Sequence, residues 1–193
     1  MRHSYERSFM NTVQTQMDTW LDDVVIGLNL CPFAAKPRRN QQIRLDICYA
    51  KEDDAILEAV YHAFVHLTQT DAIITDTTVV VVPDALADFD HYLALVEATD
   101  ALIDHYGWRG RFQVASFHPE YCFDGCAPED SENLTNRSPY PCFHLIREAS
   151  MSRALEHYGQ DPALIPERNV ACVEALTPSQ RQTLFPWIND DQN

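Results

Sequence analysis

Between Phe117 and Glu148 the chain reads FHPEYCFDGCAPEDSENLTNRSPYPCFHLIRE, a stretch holding two histidines, three cysteines, six acids and two arginines. Connections of this length inside a compact domain are either functional or disordered. Phe117, Tyr121, Phe123, Tyr140 and Phe143 argue for order, because disordered segments are poor in aromatic groups worth burying. His118 stands where an apolar run meets this loop, a position that suits a general base, a metal ligand or a satisfied core residue. Further on, Ser138-Pro139 or Tyr140-Pro141 reads as the start of a helix whose free N–H groups face back toward the loop. With Arg137 beside it, that helix start would be an anion site, and Asn136 and Ser138 would add directional donors for a phosphate or carboxylate. The plainer alternative is that Ser138 caps the helix and Arg137 pairs with a nearby acid. Tyr140 is then a wall of the site or part of the core.

On that helix, expected from Pro141 to about His157, His144, Arg147, Glu148 and Met151 share a face. Glu148 would orient the His144 imidazole or share a metal with it, and Arg147 with Arg137 would form a two-arginine clamp. The alternative is a surface face of salt bridges. Two histidines with Glu120, Asp124, Asp130 or Glu132 would suit Zn, Mn or non-haem Fe, although neither HExxH nor H-x-H occurs. Cys122 and Cys126 are separated by three residues and no CxxC accompanies them, which argues against a zinc ribbon. Cys31 follows a helix C-terminus, where the dipole disfavours a thiolate. Cys142 would sit in the first turn of its helix, where the dipole helps, but Phe143 and Ile146 beside it point to burial.

The elements that must position these groups can be read from periodicity. Phe9, Val13, Met17, Trp20, Leu21, Val24, Val25 and Leu28 predict a helix over Ser8 to Leu28, ended by Gly27 or Asn29 and by Pro32. A loop follows to Asn40. Ile43 to Tyr49 alternates as a half-exposed strand, and a helix covers about Glu52 to Thr68. Thr77 to Val82 is a β-branched run suited to a strand buried on both faces. A third helix spans about Ala85 to Tyr106, and Arg111 to Phe117 is a third strand. This is a single α/β domain built on a small, mainly parallel three-stranded βαβαβ sheet. The two crossover helices would cover one face, and the first and C-terminal helices the other. A ferredoxin-like α+β arrangement with an extra strand is the alternative. Helices are expected from Pro166 to about Leu176 and from the capping box Thr177-Pro178-Ser179-Gln180, with Phe185, Trp187 and Ile188 docking the C-terminus. The long loop leaves the carboxyl end of the third strand, the edge where open parallel sheets bind ligands.

At 193 residues the chain is long enough for one sizeable core, and its net charge of −15 disfavours nucleic acid and anionic membranes as partners. No apolar run reads as a signal peptide or membrane span, so a cytoplasmic setting with reduced thiols is expected. No dinucleotide fingerprint, P-loop or nucleophile elbow is present, and no cofactor is named by the sequence.

Three segments carry a resemblance to the bacterial domain-of-unknown-function family 1415: LNLCPF at Leu28 to Phe33, FHPEY at Phe117 to Tyr121, and TNRSPYPCFHLIRE at Thr135 to Glu148. The resemblance spans essentially the whole chain. It implies no activity, but it marks Cys31, His118, Asn136, Arg137, Ser138, His144, Arg147 and Glu148 as positions to test, and leaves Cys122 and Cys126 outside the pattern. Anion holders and proton-transfer groups together favour an enzyme acting on a small anionic ligand. A metal-binding protein and a non-catalytic interaction module with buried, hydrogen-bonded histidines are the rival readings. Oligomeric state is open.

Overall fold

Strict alternation in IRLDI makes β1, Ile43–Ile47, a half-buried edge strand. Helix α3, Asp53–Gln69, turns Ile56, Val60, Phe64 and Leu67 inward. Each such side chain contributes roughly 1.5–3 kcal/mol on burial. Strand β2, Thr77–Val81, is buried at every position. Helix α4, Phe89–His105, begins at Asp88, whose carboxylate accepts the His91 N–H at 2.8 Å. Strand β3, Phe112–Phe117, follows. The structure, a computed structural model, describes residues 12–188. Within them the expected βαβαβ series is present, and β1 pairs with β2 in parallel.

The sheet differs from the expected three-stranded, mainly parallel one. It has four strands in the order β1-β2-β4-β3, and β4 is Cys142–Arg147, antiparallel to both β2 and β3. The segment read as the first turns of a helix from Pro141 is therefore a strand, and only Glu148–Glu156 is helical (α5). The physical reason is two-sided burial. Phe143 and Leu145 pack on the α3–α4 side, and Cys142 packs on the other, so alternation rather than a helical stripe fits the residues to the core. The connectivity is not ferredoxin-like either, since β1 and β2 are joined by a parallel crossover and lie side by side.

Two apolar layers sandwich the sheet. One joins α3 and α4 to Val80, Val114, Phe143 and Leu145. The other joins Val79, Val81 and Cys142 to the first helix, to Val173 of α6 (Ile165–Glu174) and to Phe185. That first helix, α1, is α-helical over 12–19 and continues as a π-helix over Trp20–Ile26, closed by Asn29 at φ 54°. Ser8 to Asn11, where its start was expected, lie outside the described residues. A short helix α2, Ala35–Arg39, interrupts the expected loop. Helix α7, Pro178–Leu184, has both hydrogen bonds of its Thr177–Gln180 capping box, and Trp187 and Ile188 pack against the same layer as Phe185. Among the described residues no helix is long and apolar enough to cross a membrane.

Buried Tyr92 of α4 ties the β3–β4 hairpin at the end where its long connection begins and returns. Its hydroxyl donates to the Cys142 carbonyl at 2.7 Å and accepts the Phe117 N–H at 2.9 Å, and these two residues are register partners. Replacing Tyr92 with Phe leaves a buried donor and a buried acceptor unsatisfied at once. We predict a loss of about 1–3 kcal/mol in denaturant-induced unfolding, with an unchanged m-value. A Tyr92→Phe protein as stable as the parent would show that this bridge contributes nothing.

Candidate functional site

The long segment 118–141 is the connection of the β3–β4 hairpin, and its polar groups hold it in shape. His118 is fully buried; its Nδ1 accepts the Glu120 N–H at 3.0 Å, so the ring proton sits on Nε2 and is donated to the Leu86 carbonyl at 2.8 Å. Burial keeps this imidazole neutral by lowering its pKa, and the rings of Phe89 and Tyr92 lie against it. Arg137 donates to the carbonyls of Tyr121 at 3.2 Å and Pro128 at 2.6 Å. Asn136 donates to the Ser116 carbonyl at 3.3 Å. Ser138, fully buried, donates to its neighbour's carbonyl, Tyr140 O, at 2.6 Å. The Tyr140 hydroxyl donates to Gln16 Oε1 of α1. In this geometry the donors of the TNRSPY segment serve backbone carbonyls and α1, and no helix N-terminus stands beside them, because β4 begins there instead.

Cys31 and His144, distant in sequence, meet elsewhere. Both line a cavity of about 240 Å³ between the sheet and α1. Its walls are Trp20, Leu21 and Val25 from the π-helical part of α1, Phe33 and Ala34 from the following turn, and Val79, Ala115, Phe117 and Ile146 from the sheet. Widened helical turns of this kind are frequent at functional sites. Gly27 is required at the end of that turn, since a Cβ there would stand 2.2 Å from the Asp23 carbonyl oxygen. Asp76, Arg147 and Ser150 form the polar rim, at the amino end of β2 rather than at the carboxyl edge expected of an open parallel sheet.

Register explains how His144 is held. It lies opposite Val79 on one side and Ala115 on the other, which makes Thr77 its diagonal neighbour. The Thr77 hydroxyl donates to the Leu145 carbonyl at 2.6 Å, and must therefore accept from His144 Nε2 at 2.7 Å. The imidazole is the Nε2–H tautomer. Its Nδ1 has no hydrogen-bond partner among the described residues, and the ring lines the cavity. Burial lowers its pKa to about 4. The same burial raises the pKa of the Cys31 thiol, against weaker opposing hydrogen bonds from Phe33 and Ala34. The pair is thus a neutral imidazole and a protonated thiol. Cys142, by contrast, is sealed within β4, and burial pushes its pKa up to about 12.

The remaining candidates are separated by β4 itself. Arg147 ends the strand and donates to the carbonyls of Leu67 at 2.7 Å and Thr70 at 2.6 Å, capping α3 with a cation at its carboxyl end. Arg137 precedes the strand's other end, so the two arginines cannot clamp one ligand. Glu148 starts α5, its N–H donating to the Arg111 carbonyl at 3.0 Å; the spacing from His144 is extended, not one helical turn, and His144 is oriented by Thr77 instead. Thr77, Asp76, Ala115 and Ser150 were missed by sequence reasoning. Only a register could have found them, because each matters through its neighbour across the sheet or at its rim. Among the described residues, no three His, Cys, Asp or Glu side chains are placed to share a metal ion.

A histidine with pKa about 4 when folded and 6.5 when free makes stability depend on pH with a definite sign. Above pH 6.5 neither state binds the proton. As pH falls through 6.5 toward 4 the unfolded state binds it first, so stability declines, by about 3 kcal/mol for this group alone. The lowered pKa of His118 and of His66 acts in the same direction, whereas the lowered pKa of Asp22, Asp100 and Asp104 acts only below their ordinary value of 3.8. We predict that chemical unfolding of His144→Gln shows a clearly shallower stability loss over this window than the parent; parallel curves would contradict the neutral imidazole.

Comparison with curated proteins and with solved structures gave no match. One family model does match, over residues 12–183, and it is the family that the sequence resembled. With nearly all of its described fold inside that match, the chain belongs to the family described as Protein of unknown function (DUF1415).

Proposed function

We propose that this protein handles a small molecule with an apolar body, bound in the cavity between α1 and the sheet, with His144 as its acid–base group and Cys31 as a neighbouring thiol. One observation carries the reading. Each of the three segments behind the family resemblance sends side chains to this one cavity: Cys31 and Phe33 from the first, Phe117 from the second, His144 and Ile146 from the third. Apolar walls with a few convergent polar groups are what small-molecule sites are made of. A neutral imidazole offering Nδ1 accepts a hydrogen bond or a proton from a bound O–H or N–H, and the dry surroundings strengthen that bond. Cys31, protonated at rest, is a donor or a latent nucleophile that needs a base to activate it. Arg137, Asn136 and Ser138 support the site from behind. The Arg137 carbonyl accepts the indole N–H of Trp20 at 3.0 Å, and Trp20 forms part of the cavity wall.

The interaction-module reading expects both histidines to be buried and hydrogen-bonded. His118 is both; His144 is hydrogen-bonded through Nε2 but only half-buried, and its Nδ1 has no partner among the described residues, which favours the ligand reading. The metal reading has no converging ligand set among the described residues.

Ala115 faces His144 across the β3–β4 ladder, so a larger side chain there fills the cavity. Titrating ethylbenzene should stabilise the parent protein, by about 2.7 kcal/mol at a hundred times its Kd. In Ala115→Leu the same titration should lose that effect while the fold keeps its stability to within about 1–3 kcal/mol. If parent and variant respond equally, or neither responds, the cavity is not a ligand site.

A further inference from the structure

The cavity is not isolated. Pro37, Asp76 and Ser150 line both it and an adjoining open groove of about 860 Å³, and so form a neck between the two. At that neck the Ser150 hydroxyl donates to the Asp76 carboxylate and accepts from the Arg153 guanidinium at 2.9 Å. Beyond it the groove carries the exposed Lys36 and Arg153. Neither has a carboxylate within ion-pair distance among the described residues. Asp71, also in the groove, accepts the Ile73 N–H at 2.9 Å. Passing outward from the cavity, a ligand therefore meets apolar wall, then a rim of Asp76 and of Arg147, whose guanidinium is engaged by the Leu67 and Thr70 carbonyls, then a groove that carries Lys36 and Arg153 beside Asp71.

This order selects a ligand. A purely anionic head seated at the neck is repelled by Asp76, and a purely cationic one leaves Lys36 and Arg153 unanswered. A head carrying both charges satisfies each group with its opposite. Resting on the cavity reading above, we propose that the site takes a hydrophobic α-amino acid. Its side chain enters the cavity, its ammonium meets Asp76 at the neck, and its carboxylate meets Lys36 and Arg153 in the groove.

The test uses the full chain and four probes sharing one phenyl ring: ethylbenzene, phenethylamine, hydrocinnamate and L-phenylalanine, measured by calorimetric titration. L-Phenylalanine should bind at least about tenfold more tightly than either singly charged probe, since each charge-assisted contact is worth that much or more. In Asp76→Asn the affinity for L-phenylalanine and phenethylamine should drop about tenfold while that for hydrocinnamate does not. In Arg153→Gln the affinity for L-phenylalanine and hydrocinnamate should drop while that for phenethylamine does not. Should ethylbenzene bind but the charged probes bind alike, or hydrocinnamate bind best and improve in Asp76→Asn, the amino-acid assignment is overturned and the cavity reading stands. Should ethylbenzene fail to bind as well, the cavity reading itself is lost, and the assignment with it. The panel on the parent protein decides the matter even where a variant does not fold.

Discussion

Strand β2 is buried at every residue, and a strand so placed must have both of its edges hydrogen-bonded, because an unpaired backbone group away from water costs as much as a lost hydrogen bond. β1 satisfies one edge by the ordinary parallel crossover through α3. β4 satisfies the other, running antiparallel between β2 and β3. Much else follows from that insertion. A chain that has completed β3 must turn through a hairpin to bring β4 back alongside it, and the hairpin must wrap the carboxyl edge on the way. The long polar segment therefore has a structural purpose before any chemical one. Its arginine, asparagines and buried histidine satisfy carbonyls and amides that the turn would otherwise leave open.

The same insertion builds the cavity. A strand exposes alternate residues to opposite layers, so Phe143 and Leu145 go to the α3–α4 side, and Cys142, His144 and Ile146 go to the α1 side. On that side His144 stands between Val79 and Ala115. Ala115 is short, and the π-helical stretch of α1 supplies the facing wall through Trp20, Leu21 and Val25. The hollow is a consequence of one small residue, one widened turn and a register that puts a polar ring between them.

Sequence reasoning succeeded where patterns were long. The α3 and α4 stripes, the alternation of β1 and the β-branched run of β2 each state their element over enough residues to exclude others, and the Thr177 capping box marks its helix unaided. Division of the helices between the two faces of the sheet follows from the parallel crossover alone. β4 failed because CFHLIR is short and apolar on both sides, and such runs do not distinguish strand from helix. Two prolines before it and the spacing of His144 to Glu148 then imitated a helix start and an i,i+4 pair. The site inherited the error. Arg137, Arg147 and Glu148 converge on His144 only along a helix, and in a strand they are distributed to its two ends. Cys31 and His144 were both singled out, but their meeting depends on tertiary packing that no local pattern encodes.

His144 is a costly residue for its position. A leucine there would match its surroundings, while an imidazole in an apolar layer is compensated only as far as its hydrogen bonds reach. Thr77 satisfies one nitrogen and is itself satisfied by the Leu145 carbonyl, so half of the ring is accounted for by structure. The other nitrogen has no partner among the described residues, in a side chain that is half-buried and lines the cavity. His118 shows what this fold does with a fully satisfied histidine: both nitrogens meet backbone groups. By comparison, among the described residues His144 leaves Nδ1 without a partner in a ring that lines the cavity, and that contrast with His118 is what the proposed role draws on.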